Sequence, residues 1–272
     1  LALKRIAVGA AALSVARVFQ LAGSFVALPF LARMLTPHDF GLVALAMSIV
    51  MFTLYIGDAG LGRSLVRVSG QDKDTWSSAH WMVVSLTVCL ALAIAALAWP
   101  AAHFFNEPRL WALMLALASA PLLLGLTEIP ASKLLQEEKF QTLAAAEFLS
   151  AIGGIGVALV LAFNGAGPWA LVWQNISMRI IKAAIILPTS RFRPRFVLKL
   201  SLMRDHFRFA LDNMGWSVTN FVSRQSDTLV IGKLLGASPL GLYNIASRIM
   251  MLPVYIVGGA LQSAIYPRLT RL

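Results

Sequence analysis

The sequence predicts an all-α integral membrane protein, and three observations carry that expectation. The chain is 58% hydrophobic and only 13% charged over 272 residues, with a mean hydropathy of +0.76, too apolar for a soluble domain of ordinary make-up. Its apolar residues gather into about eight runs near the roughly 20 residues that a helix rising about 1.5 Å per residue needs to cross a bilayer. One stretch is written twice: LARMLTPHDFGLVALA at 31–46 and IGKLLGASPLGLYNIA at 231–246.

The two copies align without a gap. Leu35 falls on Leu235, Gly41 on Gly241, Leu42 on Leu242 and Ala46 on Ala246, with Arg33 or Lys233 closing the preceding apolar helix. Long-period repeats that each join two apolar spans are a common way of building secondary transporters.

The first span runs from about Ile6 to Leu31. Lys4 and Arg5 before small apolar residues imitate a secretory signal, but Arg17 interrupts the stretch and hydrophobicity resumes through Leu35, too long for a cleaved leader. Span two, Phe40 to Ile56, is entered through Thr36-Pro37-His38-Asp39, a turn and helix-start signal. The polar segment Gly57 to Thr75 leads to span three, Trp76 to Trp99, and Pro100 to Arg109 links it to span four. Span four is Leu110 to Leu126, extensible as helix to Leu135; Glu137 to Phe140 leads into span five, Leu143 to Phe163. Asn164-Gly165-Ala166-Gly167-Pro168 is a tight turn into span six, Trp169 to Leu187. Residues 189–208 carry six Lys or Arg and form the one evident boundary. Span seven, Phe209 to Leu235, and span eight, Leu240 to Ile265, follow it. Residue 1 is not Met and the chain stops just after a span, as expected of a fragment.

A net charge of +11 raises the question of nucleic acid, and the placement of the charges answers it. They fall in the short breaks between apolar runs, with fifteen Lys or Arg in links on the amino-terminal side against three on the other. That bias sets orientation in a membrane, both ends cytoplasmic, and does not draw a phosphate-tracking face. The single cysteine, Cys89, and four scattered histidines supply no disulfide and no metal-ligand spacing. No nucleophile elbow, zinc-protease helix or phosphate loop is present. Gly153-Gly154-x-Gly156 has neither strand nor basic residue beside it, and reads as close helix packing.

Five basic residues (Arg17, Arg179, Lys182, Arg224, Arg248) and three acids (Glu147, Asp212, Asp227) fall inside spans. An arginine at the bilayer centre costs roughly 2.5–3.5 kcal/mol, so such residues need partners or a wet cavity. In span one Ser14, Arg17, Gln20 and Ser24 share a helical face; in span seven Asn213, Ser217, Asn220, Arg224 and Asp227 do the same. Span eight adds Asn244, Arg248, Tyr255 and Gln262. These faces predict a central water-filled cavity with a positive wall. Simpler roles compete: Arg224 and Asp227 can pair at i and i+3, Arg179 and Lys182 can snorkel, and Glu147 can reach the interface. Arg17 and Arg248 have no acid at helical spacing within their own spans.

Four blocks carry a family resemblance: ALPFLARMLTPHDFGLVALA (27–46), PASKLLQEEKF (130–140), GPWALVWQ (167–174) and RQSDTLVIGKLLGASPLGLYNIASRIMMLP (224–253). The chain resembles the multidrug/oligosaccharidyl-lipid/polysaccharide exporter superfamily, in its polysaccharide (O-antigen type) flippase branch. The resemblance implies two six-helix lobes related by a pseudo-two-fold axis. Residues 1–188 would be the first lobe, 189–208 a cytoplasmic linker, and 209–272 the first two helices of the second.

It also implies a polyprenyl-pyrophosphate-linked oligosaccharide carried to the outer leaflet of a bacterial inner membrane by alternating access. Spans one and eight would flank a portal for the lipid tail, and Arg17 and Arg248 would capture the pyrophosphate, which guanidinium binds bidentately. Gln20, Ser24, Asn220 and Arg224 complete the expected substrate-binding set, and Asp227 is a candidate coupling acid. No catalysis, cofactor, metal or nucleic acid is expected; membrane lipid, a polysaccharide polymerase and glycosyltransferases are the expected partners. A drug or cation exporter would want acids in the cavity, and here bases outnumber acids within spans. An enzyme on lipid-linked sugars would need a constellation of acids or histidines near one interface, and the sequence offers none.

Overall fold

Apolar runs bounded by proline and glycine leave the backbone one way to satisfy its polar groups in hydrocarbon, the α-helix. The computed structural model describes residues 2–57, 65, 72–197 and 204–250, and the architecture is helical. The helices are α1 (Ala2–Met34), α2 (Pro37–Gly57), α3 (Lys73–Phe104), α4 (Pro108–Leu117), α5 (Ser119–Gln136), α6 (Phe140–Phe163), α7 (Trp169–Ser190) and α8 (Arg204–Leu235). A ninth, α9, covers residues 237–250. Most of the polar segment 57–75, residues 198–203 of the basic linker, and the end of span eight with Tyr255 and Gln262 lie outside the described residues.

Five segments are long and apolar enough to cross a membrane: Pro37–Leu54, Lys73–Phe104, Pro108–Gln136, Phe140–Phe163 and Trp169–Ser190. These are spans two to six of the sequence reading. In α1 the apolar stretch is Val18–Met34. The expected turns are in place. Thr36 and Asp39 form a reciprocal cap at the start of α2: the Thr36 hydroxyl donates to Asp39 Oδ2 at 2.7 Å and accepts from the Asp39 amide at 3.2 Å. In the 164–168 turn, Gly165 and Gly167 take φ of 71° and 58°, values that suit a residue without Cβ.

Span four differs from expectation. It is two helices meeting at Ala118. Pro121 has no N–H to offer the Leu117 carbonyl, so the ladder breaks there, and the Ser119 hydroxyl bonds Ala116 O instead at 2.7 Å.

α2 is apolar all round and sits at the centre, where such a helix belongs. Leu42, Leu45, Ala46 and Val50 are fully buried, and α3, α4, α5, α7 and α8 all pack around it. α6 presents a ladder of small buried residues at steps of four, Ala146, Ser150, Gly154, Ala158 and Ala162, which lets α1 and α7 approach closely. Gly153 and Gly154 face Ile181 and Met178 of α7, as the packing reading requires; Gly156 faces open space.

The two written copies meet each other. A Cβ placed on Gly41 would overlap the carbonyl oxygen of Ala237 and lie 2.6 Å from its carbonyl carbon. A Cβ on Gly241 would overlap the carbonyl oxygen of Pro37 and lie 2.7 Å from that carbon. Pro37 and Ala237, like Gly41 and Gly241, are equivalent positions of the repeat. Residue i touches j′ while j touches i′, the signature of a two-fold contact. The first turns of α2 and α9 therefore cross at a local pseudo-two-fold axis, backbone on backbone.

Candidate functional site

Behind this crossing the repeat-related helices diverge and leave space between them. A cavity of about 340 Å³ is lined by α1, α2, α7, α8 and α9. Its polar wall consists of Gln20 and Ser24 from α1, Ser48 from α2, Gln174 and Asn175 from α7, Gln225 and Thr228 from α8, and Asn244 and Arg248 from α9. Among the described residues no carboxylate belongs to that lining, and Arg248 is its one charged residue. A second space of about 320 Å³ lies between α1 and α9 and shares Ser24, Leu28, Asn244 and Arg248 with the first. Arg248 thus borders both, beside the amide of Asn244.

Amides both donate and accept, so a wall of five of them with hydroxyls matches a ligand dense in hydroxyl groups. Arg248 adds a fixed cation with five donors. Among the described residues no carboxylate lies within ion-pair distance of it. Asn244 Oδ1 is buried without a hydrogen-bond partner, an acceptor left free at the cavity wall.

The structure divides the sequence-predicted residues. Gln20, Ser24 and Arg248 come together around the cavity. Asn220 and Arg224 line neither space; Arg224 Nε donates to Asn220 Oδ1 at 3.0 Å. Asp227 does not take up Arg224. It accepts from the Tyr243 hydroxyl and, at 2.7 Å, from the Thr228 amide. The side chain of Arg17 lies outside the described residues. Lys182 and Glu147 do not reach separately for the interface but meet each other at 2.5 Å, tying α7 to α6.

The sequence pattern of a family described as polysaccharide biosynthesis protein matches residues 30–272. The chain belongs to that family. The resemblance to the polysaccharide branch of the exporter superfamily is thereby borne out. Succinoglycan biosynthesis transport protein ExoT of Rhizobium meliloti (strain 1021) is 33% identical over 245 residues, 89% of this chain and 49% of that protein. Lipopolysaccharide biosynthesis protein WzxC of Escherichia coli (strain K12) is 21% identical over 95% of this chain and 53% of its own length. Teichuronic acid biosynthesis protein TuaB of Bacillus subtilis (strain 168) is 24% identical over 80% of the chain and 45% of its own. The chain spans about half the length of the curated relatives it matches. No solved structure matches it.

The polar lining residues that sequence reasoning missed are Ser48, Gln174, Asn175, Gln225 and Thr228. The signal was present: three amides inside otherwise apolar spans. Only the placement of α7 against α1 and α2 shows where they point.

Proposed function

We propose that the full-length protein is a flippase that moves a polyprenyl-pyrophosphate-linked oligosaccharide from the cytoplasmic to the outer leaflet by alternating access. One observation carries this reading: among the described residues, the cavity is walled by neutral amides and hydroxyls with one unpaired guanidinium and no acid. Amides suit sugar hydroxyls, and the guanidinium suits an anionic phosphate. The relatives' names, which speak of succinoglycan biosynthesis transport and of teichuronic acid and lipopolysaccharide biosynthesis, support the same class of cargo.

In this reading residues 1–188 form the first lobe, 189–208 a cytoplasmic linker, and 209–272 the start of a second lobe related to the first. Both described halves of the repeat supply the cavity wall, so the binding site lies between lobes. Gln20, Ser24 and Arg248 contact the head group. The Asn220–Arg224 pair on α8 extends the polar path toward the basic side, and Arg17 precedes Gln20 in chain order. The space between α1 and α9, with Leu21, Phe25 and Leu28 on one wall and Asn244, Ser247 and Arg248 on the other, is the portal for the lipid tail. Asp227 is the proposed coupling acid. A cation exporter is disfavoured because no carboxylate among the described residues lines the cavity.

The test replaces Arg17 and Arg248 by alanine, singly and together, in the full-length protein expressed in its own host. Surface polysaccharide should be lost while membrane levels of the protein stay normal. Unchanged export in the double variant would remove the site assignment.

A further inference from the structure

A separate cleft of about 440 Å³ lies at the ends of α3, α5 and α7 that carry the basic links. Five cations line it: Lys73, Lys133, Arg191, Arg193 and Arg195. Asp74 stands 3.7 Å from Arg195; the other four have no ion-pair partner among the described residues. Gathering like charges in one cleft is unfavourable unless an anion completes it.

The cleft is built, not a chance approach of long side chains. Its outer wall is the seven-residue strap 191–197, fixed to α3 along its length. Ser77 Oγ accepts from the Arg195 amide at 3.1 Å. The Trp81 indole donates to the Arg195 carbonyl at 2.8 Å, and Ser78 Oγ donates to the Val197 carbonyl at 3.2 Å. Beside the cations, Lys133 lies 5.4 Å over the ring of Phe192. Phe196, 91% exposed, stacks on Trp81 with ring centroids 4.7 Å apart. An aromatic step next to a cationic cleft is what the border between headgroups and acyl chains favours.

We propose that this cleft binds the phosphodiester headgroup of an anionic phospholipid of the surrounding bilayer. Its position at the ends of three membrane-spanning helices puts it at headgroup depth, where basic pockets between helices hold anionic lipids. The exposed Phe196–Trp81 pair gives the glycerol and upper acyl carbons a surface that a free anion in water would not use. None of the cavity residues takes part, so this site is independent of the cargo reading. The same cations also complement the carboxyl ends of α5 and α7 and bias orientation. Those roles require neither a formed cleft nor discrimination between lipid headgroups.

The experiment measures lipid binding to the full-length protein in detergent by native mass spectrometry. Phosphatidylglycerol and phosphatidylcholine are titrated separately, then phosphatidylglycerol in the presence of millimolar inorganic phosphate. Phosphatidylglycerol is expected to bind at least 10-fold more tightly, and inorganic phosphate to leave it in place. Lys133→Ala with Arg193→Ala should weaken phosphatidylglycerol about 20-fold, given roughly fivefold for each surface cation. Lys139→Ala, which removes a cation paired with Glu137 on the same side, should change nothing. Should the double variant fail to fold, Lys133→Met and Arg193→Gln are read singly, each with about a fivefold loss. Equal affinity for the two lipids, displacement by inorganic phosphate, or insensitivity to the Lys133 and Arg193 variants would each overturn the assignment.

Discussion

Gly41→Ala is the most exposing test of the crossing between α2 and α9. The new Cβ would lie 2.6 Å from the Ala237 carbonyl carbon, where ordinary contact begins at 3.4 Å. The atoms it meets are backbone, so no side chain can swing aside; the helices must part by about 1 Å or more. Alanine gains up to about 1 kcal/mol of helix propensity over glycine, whereas overpacking a close core costs about 1–3 kcal/mol and sometimes more. The expected net loss is about 1–2 kcal/mol. Gly241→Ala should lose the same amount, because its Cβ meets Pro37 in the equivalent geometry. The two changes strain one crossing, so the double variant should cost less than their sum, by about 0.5 kcal/mol or more. Gly156→Ala, with nothing within 4 Å, serves as the control that carries the propensity gain without the clash. Unfolding of the full-length protein in detergent, followed by tryptophan fluorescence, reads all four. Strict additivity, or a Gly41→Ala protein as stable as the parent, would refute the two-fold contact.

Three other perturbations follow from the same structure. Asp39→Ala removes the acceptor of both the Thr36 amide and hydroxyl and should cost about 1 kcal/mol by the same unfolding assay. Lys182→Met leaves the half-buried Glu147 carboxylate without its partner and should cost about 1–3 kcal/mol; the charge swap Glu147→Lys with Lys182→Glu should recover at least half of that. Gln174→Leu with Asn175→Leu should reduce polysaccharide export at least tenfold with normal protein levels, measured as surface polymer per cell; full export would exclude the α7 amides from the cargo path.

The spans and their turns were legible because apolarity and the Pro/Gly punctuation act over a few residues. The 36–39 cap and the 164–168 turn were both read from the chain. The break at Ala118 was not, since one proline near a helix start is compatible with either a kink or a smooth run. The polar faces were half legible. Helical spacing grouped Asn220 with Arg224, and they do bond each other, but spacing says nothing about which neighbour a face meets. In α8 it is Gln225 and Thr228, about one residue round the helix, that look into the cavity. The repeat was visible as letters. That its two glycines rest on each other's partner carbonyls required coordinates.

Because the cavity wall is drawn from α1, α2 and α7 together with α8 and α9, its polar groups are enclosed only once α8 and α9 have been made. A nascent chain ending near residue 200 would have inserted Gln20, Gln174 and Asn175 with no facing helices to shield them from lipid. Each orphaned amide in hydrocarbon carries a cost of several kcal/mol, so this intermediate needs shelter until α8 and α9 arrive. Biogenesis, as much as transport, therefore constrains where polar residues can be placed in the first seven helices. Premature termination ahead of α8 should yield a species that quality-control proteases remove.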